Sequence, residues 1–210
     1  MLPPGRRRPR IGLLGGSFNP AHDGHRHVSR RAQALLGLDV VWWLVSPQNP
    51  LKPTAGMAPL AARLSRARAV AGHGAIRVTA IERILGTRYT VDTVAALKRR
   101  LPQARLVWLM GADNLIQMPR WHRWPALFHA LPIAIFDRPT YSHSALLCPA
   151  TRRFARYRRR LRDPARLVDC PPPAWAWIGG GLHPASATRI RDSGGWGRPD
   201  GRMAEGRSET

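Results

Sequence analysis

The chain has 210 residues, of which 44% are apolar and 22% charged, and its 34 lysines and arginines against 12 aspartates and glutamates give a formal net charge of +22 at pH 7. This length and composition are typical of a globular protein with one main domain. No stretch approaches the roughly 18 apolar residues of a membrane-spanning helix, and the apolar patch after the basic N-terminus is too short for a secretion signal. We therefore expect a cytoplasmic protein with no membrane partner.

The positive charge taken alone would favour a protein that binds nucleic acids or other polyanions. However, Lys52 and Lys98 are the only lysines, and arginine, alanine, proline and tryptophan are all abundant, so a general compositional bias accounts for much of the charge. No RNA-recognition motif accompanies it. We expect salt-dependent association with polyanions but no specific nucleic-acid partner, and an RNA- or polyanion-binding protein is a distant alternative.

Apolar patterns in the first part of the chain alternate between strands and helices. Five runs predict strands: "RIGLLGG", "DVVWWLVS", "AIRVTAIE", "ARLVWLMGAD" and "LPIAIFDRP". Helical spacing relates Val28, Ala32, Leu35 and Leu36, then Met57, Leu60, Ala61, Leu64 and Ala71, and then the run "TVDTVAALKRR" with Thr90 as its N-cap. This order predicts an α/β fold, with a doubly wound, mainly parallel sheet and helices on both of its faces.

The rest of the chain is less regular. The run "TRRFARYRRRLRD" predicts a solvated, arginine-rich helix face, "PPPAWAWIGG" ends in a short strand, and "HPASATRIRDS" predicts a short helix capped by Ser186. We divide the chain into a basic extension (1–9), one domain (10–193) and a tail rich in glycine and charge (194–210), which we expect to be poorly ordered.

Three polar loops follow predicted strands: "GGSFNPAHDGH", "SPQNPLK" and "GADN". Right-handed crossovers bring the carboxyl ends of parallel strands to one edge of the sheet, where ligands bind in such folds. We therefore expect these loops to meet in one crevice.

The first loop suits an anion. Adjacent glycines after a strand allow close backbone approach, and a helix predicted to begin near Gly24 or His25 offers free N–H groups, to which His22 and His25 add donors. Zinc would need further ligands, and nothing nearby supplies an obvious third or fourth one. Two surface histidines in a turn are the plainer alternative.

Cys148 and Cys170 form no C-x-x-C pair, so we expect two free thiols and no metal held by protein side chains.

Five motifs in order, "GGSFNPAHDGH", "SPQNPLK", "RYTVDT", "GADNLIQMPRW" and "SATRIR", resemble those of bacterial nicotinate-nucleotide adenylyltransferases, H-x-G-H nucleotidyltransferases. The resemblance covers about residues 10–192. It implies a Rossmann-like sheet and transfer of AMP from ATP to nicotinate mononucleotide, giving deamido-NAD and pyrophosphate by direct in-line attack. It also implies Mg²⁺ bound with the ATP. Related enzymes that use the amide mononucleotide or phosphopantetheine are alternatives, and a homo-oligomer is left open.

The resemblance also implies a role for particular residues. His22, His25 and Arg191 would be catalytic. ATP would be bound by Gly15, Gly16, Ser17, Phe18, His22, His25, Gly111, Asp113, Ser186, Thr188 and Arg191. Nicotinate mononucleotide would be bound by Asn19, Lys52, Thr90 and Trp121. From the sequence alone, Asp113 could equally cap a helix beginning at Asn114, and Trp121 could belong to the core.

The chain departs from the common family pattern in four places. Ser17 stands where threonine is usual, Asn19 where aspartate is usual, and Ala187 where a second serine is usual. Family members also continue with a further helix after "IR", whereas the tail from Gly194 shows no such apolar pattern. Asn19 removes a negative charge from the first motif, which changes the hydrogen bonds that the loop can make.

Overall fold

In the computed structural model, residues 8–48, 51, 56–137, 141–180, 187–193 and 196 are described. They contain six strands: β1 (Arg10–Gly16), β2 (Val40–Val45), β3 (Ile76–Thr79), β4 (Arg105–Gly111), β5 (Ile133–Phe136) and β6 (Trp175–Ile178). The strands form one sheet in the order β3-β2-β1-β4-β5-β6, and every neighbouring pair is parallel. The predicted parallel sheet is confirmed.

Helices cover both faces of this sheet. They are α1 (Asp23–Leu36), α2 (Leu60–Ala71), α3 (Ile81–Leu85), α4 (Thr90–Arg100), α5 (Ala112–Gln117), α6 (Trp124–Ala130), α7 (Ser142–Leu146), α8 (Pro149–Arg153) and α9 (Ala187–Asp192). Short 3-10 helices occupy Met118–Arg120, Ala155–Tyr157 and Pro164–Asp169. No helix in the described part of the chain is long and apolar enough to cross a bilayer.

Two apolar cores lie on opposite faces of the sheet. One joins Ile11 and Leu13 of β1 to apolar residues of α4, α5 and α6, and the other joins Leu14 to residues of α1 and α2. Alternate side chains of β1 thus enter different cores, as expected of a strand buried on both sides. Gly12 is required in this strand because a Cβ there would lie 2.7 Å from Leu38 and 2.8 Å from Leu109.

Several local predictions are corrected. Thr90 is the first residue of α4, and Tyr89 is the N-cap without a side-chain hydrogen bond. The helix predicted at Asn114 begins earlier, at Ala112 after an N-cap at Gly111, so Asp113 lies in the first turn instead of capping it. Both helices therefore begin one or two residues before the predicted positions, and neither observed N-cap makes a side-chain hydrogen bond.

The arginine-rich run is not one helix. α8 ends at Arg153, a 3-10 helix follows at Ala155–Tyr157, and the N–H of Arg159 then donates to the carbonyl of Trp175 over 2.7 Å. Pairing with the edge strand β6 therefore replaces helical hydrogen bonds here.

Two further patterns differ from expectation. Ala61, placed on the apolar face of α2, is exposed, and Met57 precedes that helix. The strand predicted to reach Glu82 ends at Thr79, and α3 follows it. Cys148 is buried and Cys170 half-buried, and both are free thiols as predicted.

Candidate active site

The loop of residues 15–25, here called the histidine loop, joins β1 to α1. His22 is the N-cap of α1, with an extended backbone, and its Nδ1 accepts a 3.1 Å hydrogen bond from the N–H of Gly24. The Nδ1 of His25 accepts a 3.2 Å hydrogen bond from the N–H of His22. The two histidines therefore form a reciprocal capping box, a role usually taken by serine or aspartate with glutamate.

This capping arrangement determines which nitrogen of each ring can donate. A ring nitrogen that accepts a hydrogen bond carries no proton, so the neutral form of both histidines carries it on Nε2. The two ring centroids are 4.0 Å apart, and His22 is only 4% exposed. A pair of Nε2–H donors at a helix N-terminus suits phosphate oxygens.

Aromatic packing fixes the ring of His25. Phe18 lies 4.7 Å from it and stacks on Trp43 at 5.1 Å, between ring centroids. The indole N–H of Trp43 donates to the hydroxyl of Ser29 (2.7 Å), which donates to the carbonyl of His25 (2.8 Å). Phe18 is 3% exposed, has a positive φ of 48°, and packs its side chain against the ring of His25. Its predicted contact with ATP is therefore left to its backbone.

The glycines and serine of the histidine loop differ in what surrounds them. A Cβ on Gly15 would lie 2.5 Å from the ring of Trp108, so packing alone requires glycine there, whereas a Cβ on Gly16 would make only ordinary contact with Phe18. The hydroxyl of Ser17 is buried and has no hydrogen-bond partner among the described residues. Since buried hydroxyls are normally paired, Ser17 fits its predicted role in holding a ligand.

Asn19 connects the histidine loop to two other segments. Its Nδ2 donates to the carbonyl of Gly56 (3.0 Å), and its Oδ1 accepts from the N–H of Ala58 (3.1 Å) and the indole N–H of Trp196 (2.7 Å). Its own carbonyl accepts a 2.7 Å hydrogen bond from Arg191. An aspartate could not make the bond to Gly56, which explains what asparagine contributes at this position.

The second predicted phosphate element thus lies beside the first. Arg191 of α9 donates to the histidine loop at Asn19 and, over 3.2 Å, to the hydroxyl of Thr188. Ser186, the remaining residue of this element, lies outside the described residues, as does Lys52 of the second loop.

Arg63 is a residue of this site that the sequence did not reveal. It is 1% exposed, and its guanidinium donates to the carbonyls of Ser17 (2.8 Å), Ser46 (2.6 Å), Pro47 (2.7 Å) and Ala58 (2.9 Å). It therefore joins the histidine loop to the loop after β2, while burial lowers the pKa of its guanidinium. Its spacing in the sequence could have indicated burial, because Arg63 shares one helix face with Ala67 and Ala71, at i, i+4 and i+8. These three are the buried residues of α2.

Comparisons with known proteins identify the family of this chain. A profile of the family described as Cytidylyltransferase-like matches residues 13–192. The probable nicotinate-nucleotide adenylyltransferase of Parvibaculum lavamentivorans is 52% identical over 196 residues, covering 93% of this chain and 96% of that protein. The protein of the same name from Bradyrhizobium sp. strain ORS 278 is 48% identical over 188 residues, covering 89% and 98%. The chain belongs to the nicotinate-nucleotide adenylyltransferase family.

A solved structure shares the fold of this adenylyltransferase family member. Plasmodium falciparum nicotinic acid mononucleotide adenylyltransferase complexed with NaAD superposes with a TM-score of 0.66, covering 88% of this chain and 83% of that one. The two sequences are 15% identical, so the likeness concerns the fold. It agrees with the Rossmann-like sheet that the family resemblance implied.

The residues predicted to bind the pyridine ring lie on two neighbouring segments. Trp121 is half-buried and meets Trp108 edge-on, with ring centroids 6.4 Å apart. Next to it, His122 stacks on Tyr89 at 4.2 Å, and Tyr89 directly precedes Thr90. This stacked pair, which the sequence did not indicate, brings the segment of Trp121 close to the N-terminus of α4.

Among the described residues, one carboxyl group is buried near this edge of the sheet. Glu82 of α3 is 7% exposed, and its Oε2 has no hydrogen-bond partner among the residues that the structure describes. Burial raises the pKa of Glu82 to about 7, and a hydrogen bond with Ser46 offsets part of the rise. Glu82 can therefore exchange a proton near neutral pH.

Proposed function

We propose that this chain transfers the adenylyl group of ATP to nicotinate mononucleotide, giving deamido-NAD and pyrophosphate. The observation that carries the proposal is the pairing of His22 and His25 at the N-terminus of α1, with Arg191 held against the same loop. Two probable nicotinate-nucleotide adenylyltransferases are 52% and 48% identical to this chain over most of its length, and this similarity supports the choice of acceptor.

In the proposed reaction, a phosphate oxygen of the mononucleotide attacks the α-phosphorus of ATP. The bond from that phosphorus to the bridging oxygen breaks in line, and pyrophosphate leaves with the electron pair. The protein positions the two phosphates and stabilises the charge that develops on them. We assign this stabilisation to the Nε2–H groups of His22 and His25 and to the guanidinium of Arg191.

The other predicted ATP contacts complete the proposed site. Gly111 and Asp113 lie at the carboxyl end of β4 and the first turn of α5, next to β1 in the sheet. We propose that Asp113 contacts the ribose of ATP and that the backbone from Gly15 to Phe18 approaches the phosphates. The hydroxyls of Ser17, Ser186 and Thr188 add donors.

The mononucleotide is proposed to bind along the neighbouring segments. Thr90 is the first residue of α4, so its N–H has no helical partner and can donate to the nicotinate carboxylate. The face of Trp121 suits the pyridine ring. Asn19 and Lys52 are the remaining proposed contacts, and Asn19 has one Nδ2 hydrogen beyond the one given to Gly56.

Magnesium does not fit a site made by protein side chains here. The groups proposed to face the phosphates are imidazole, guanidinium, hydroxyl and N–H donors, with no carboxylate among them, whereas proteins bind Mg²⁺ mainly through carboxylates together with substrate phosphates. The described residues contain no group of three or more His, Cys, Asp or Glu that could hold a metal. We propose that Mg²⁺ is carried by the phosphate oxygens of ATP, and no step above depends on it.

One assay tests the proposed function. Pyrophosphate release from ATP is measured with nicotinate mononucleotide, with its amide, with phosphopantetheine and without an acceptor. We expect release with nicotinate mononucleotide well above that of the other three reactions. Release equal to the acceptor-free background would contradict the proposal, and faster release with the amide or phosphopantetheine would favour the related acceptor instead.

A further inference from the structure

The short helix α9 is hydrogen-bonded to the histidine loop at Asn19. Arg191 within the helix donates to the carbonyl of Asn19 over 2.7 Å, and Trp196, four residues beyond the helix end, donates to its Oδ1 over 2.7 Å. Arg191 precedes residues 192–195 in the chain and Trp196 follows them. The two bonds therefore hold the chain to Asn19 both within α9 and shortly after it.

The acceptor at Asn19 is itself fixed in orientation. The Nδ2 of its carboxamide donates to the carbonyl of Gly56, and its Oδ1 accepts from the N–H of Ala58. These two bonds fix the orientation of the amide group, so that Oδ1 faces Trp196. Ala58 is in turn held by Arg63 through its carbonyl (2.9 Å). The indole therefore binds a preorganised acceptor, which reduces the entropy cost of each docking event.

α9 needs such attachment because it has six residues. Helices of this length do not persist on local hydrogen bonds, so the position of α9 depends on contacts with the rest of the fold. α9 carries Thr188 and Arg191, which are the described residues of the predicted second phosphate element. Any contact that docks α9 also sets how often those two residues stand beside the histidine loop.

We propose that Trp196 is a positioning residue, which holds α9 with Thr188 and Arg191 against the histidine loop through its hydrogen bond to Asn19. This inference rests on the proposed function, because it assigns the docked segment to ATP. Trp196 lies in the tail whose sequence shows no apolar pattern for a further helix, and its indole N–H donates to Oδ1 of Asn19. The asparagine at position 19 and the tryptophan at position 196 work as one pair.

The variant Trp196→Phe removes the N–H and keeps a large ring. If docking is a pre-equilibrium, a smaller docked fraction raises the apparent dissociation constant for ATP in proportion. We expect the KM for ATP to rise roughly five- to tenfold, the change expected for one neutral hydrogen bond, with kcat at saturating ATP within about twofold of the wild type. A role only in stability would lower kcat through loss of folded enzyme and leave KM unchanged.

Trp177→Phe is the matched control, because Trp177 belongs to β6 and has no part in the proposed site. We expect it to leave both kinetic constants unchanged. Hydrogen exchange of the segment 187–193, followed by mass spectrometry, gives a readout besides activity. Exchange there should be faster in Trp196→Phe than in the wild type and in Trp177→Phe.

The outcomes separate the two proposals. A wild type that releases no pyrophosphate with nicotinate mononucleotide refutes the proposed function, whereas the exchange of 187–193 still tests the docking by Trp196. Wild-type exchange and a wild-type KM for ATP in Trp196→Phe would overturn the inference about Trp196, even in a fully active enzyme.

Discussion

The guanidinium of Arg63 donates a 2.8 Å hydrogen bond to the carbonyl of Ser17, 46 positions earlier in the chain. The same Nη1 donates to the carbonyl of Ser46 over 2.6 Å. One buried cation therefore determines the spacing between the loops that follow β1 and β2. Because all the donated bonds named above end on backbone carbonyls, the contacts depend on the loop conformation and not on neighbouring side chains.

We expect Arg63→Lys to lower the free energy of unfolding by about 2–4 kcal/mol. A single ammonium cannot reach the carbonyls of Ser17, Pro47 and Ala58 together, so buried acceptors lose their donors. Urea denaturation measures this loss, and Arg66→Lys, an exposed change on the same helix, serves as the control. Equal stability of the two variants would show that Arg63 does not hold the loops.

The buried carboxyl of Glu82 makes stability depend on pH. Its pKa is about 7 in the folded protein against 4.5 as the ordinary value, so the folded state binds more protons between these values and stability falls as pH rises through this range. Glu82→Gln has no such dependence. We expect the variant to match the wild type near pH 4.5 and to be more stable at pH 8 by up to roughly 3 kcal/mol, measured by urea denaturation at both pH values. A constant difference across this range would contradict the assignment.

Much of this architecture could be predicted because the relevant signals are local. The run from Arg10 to Gly16 is apolar on both faces and ends in two glycines, which is how a central parallel strand reads. The start of α1 was expected at Gly24 or His25 and lies at Asp23, because the histidines themselves cap the helix. β1, β2 and β4 are adjacent parallel strands, so the loops that follow them start at the same edge of the sheet, as expected.

Other parts of the site could not be predicted, because they depend on contacts between distant segments. The partners of Arg63 and of Asn19 lie up to 46 and 177 positions away, and no local pattern identifies them. Asn19 was expected to contact the mononucleotide, and its carboxamide also binds three protein groups. The N-cap expected at Thr90 lies one residue earlier, at Tyr89, whose carbonyl accepts hydrogen bonds from the N–H groups of Asp92 and Thr93.

Trp121 offers a test of acceptor recognition. We expect Trp121→Ala to raise the KM for nicotinate mononucleotide roughly three- to tenfold, the range expected for loss of one stacking partner, and Trp121→Phe to raise it less. Trp124→Ala is the control, because Trp124 packs edge-on against Phe128 (6.1 Å) and Phe154 (5.8 Å). It should lower the melting temperature without changing that KM. An unchanged KM in Trp121→Ala would assign Trp121 to the core.

The capping box allows the structural and catalytic roles of the histidines to be separated. Asparagine caps helices well and glutamate is a usual partner at the third helical position, so His22→Asn and His25→Glu preserve the cap. Neither variant places an N–H donor where the imidazole Nε2–H stood. We expect each variant to remain within about 0.5 kcal/mol of wild-type stability. We also expect each to lose roughly 100-fold or more in kcat, as when a donor to a developing negative charge is removed. His22→Ala, which removes the cap as well, should lose about 1 kcal/mol in addition. Near-normal turnover in His22→Asn would leave that histidine with the cap alone, and the phosphates would have to be held by other residues.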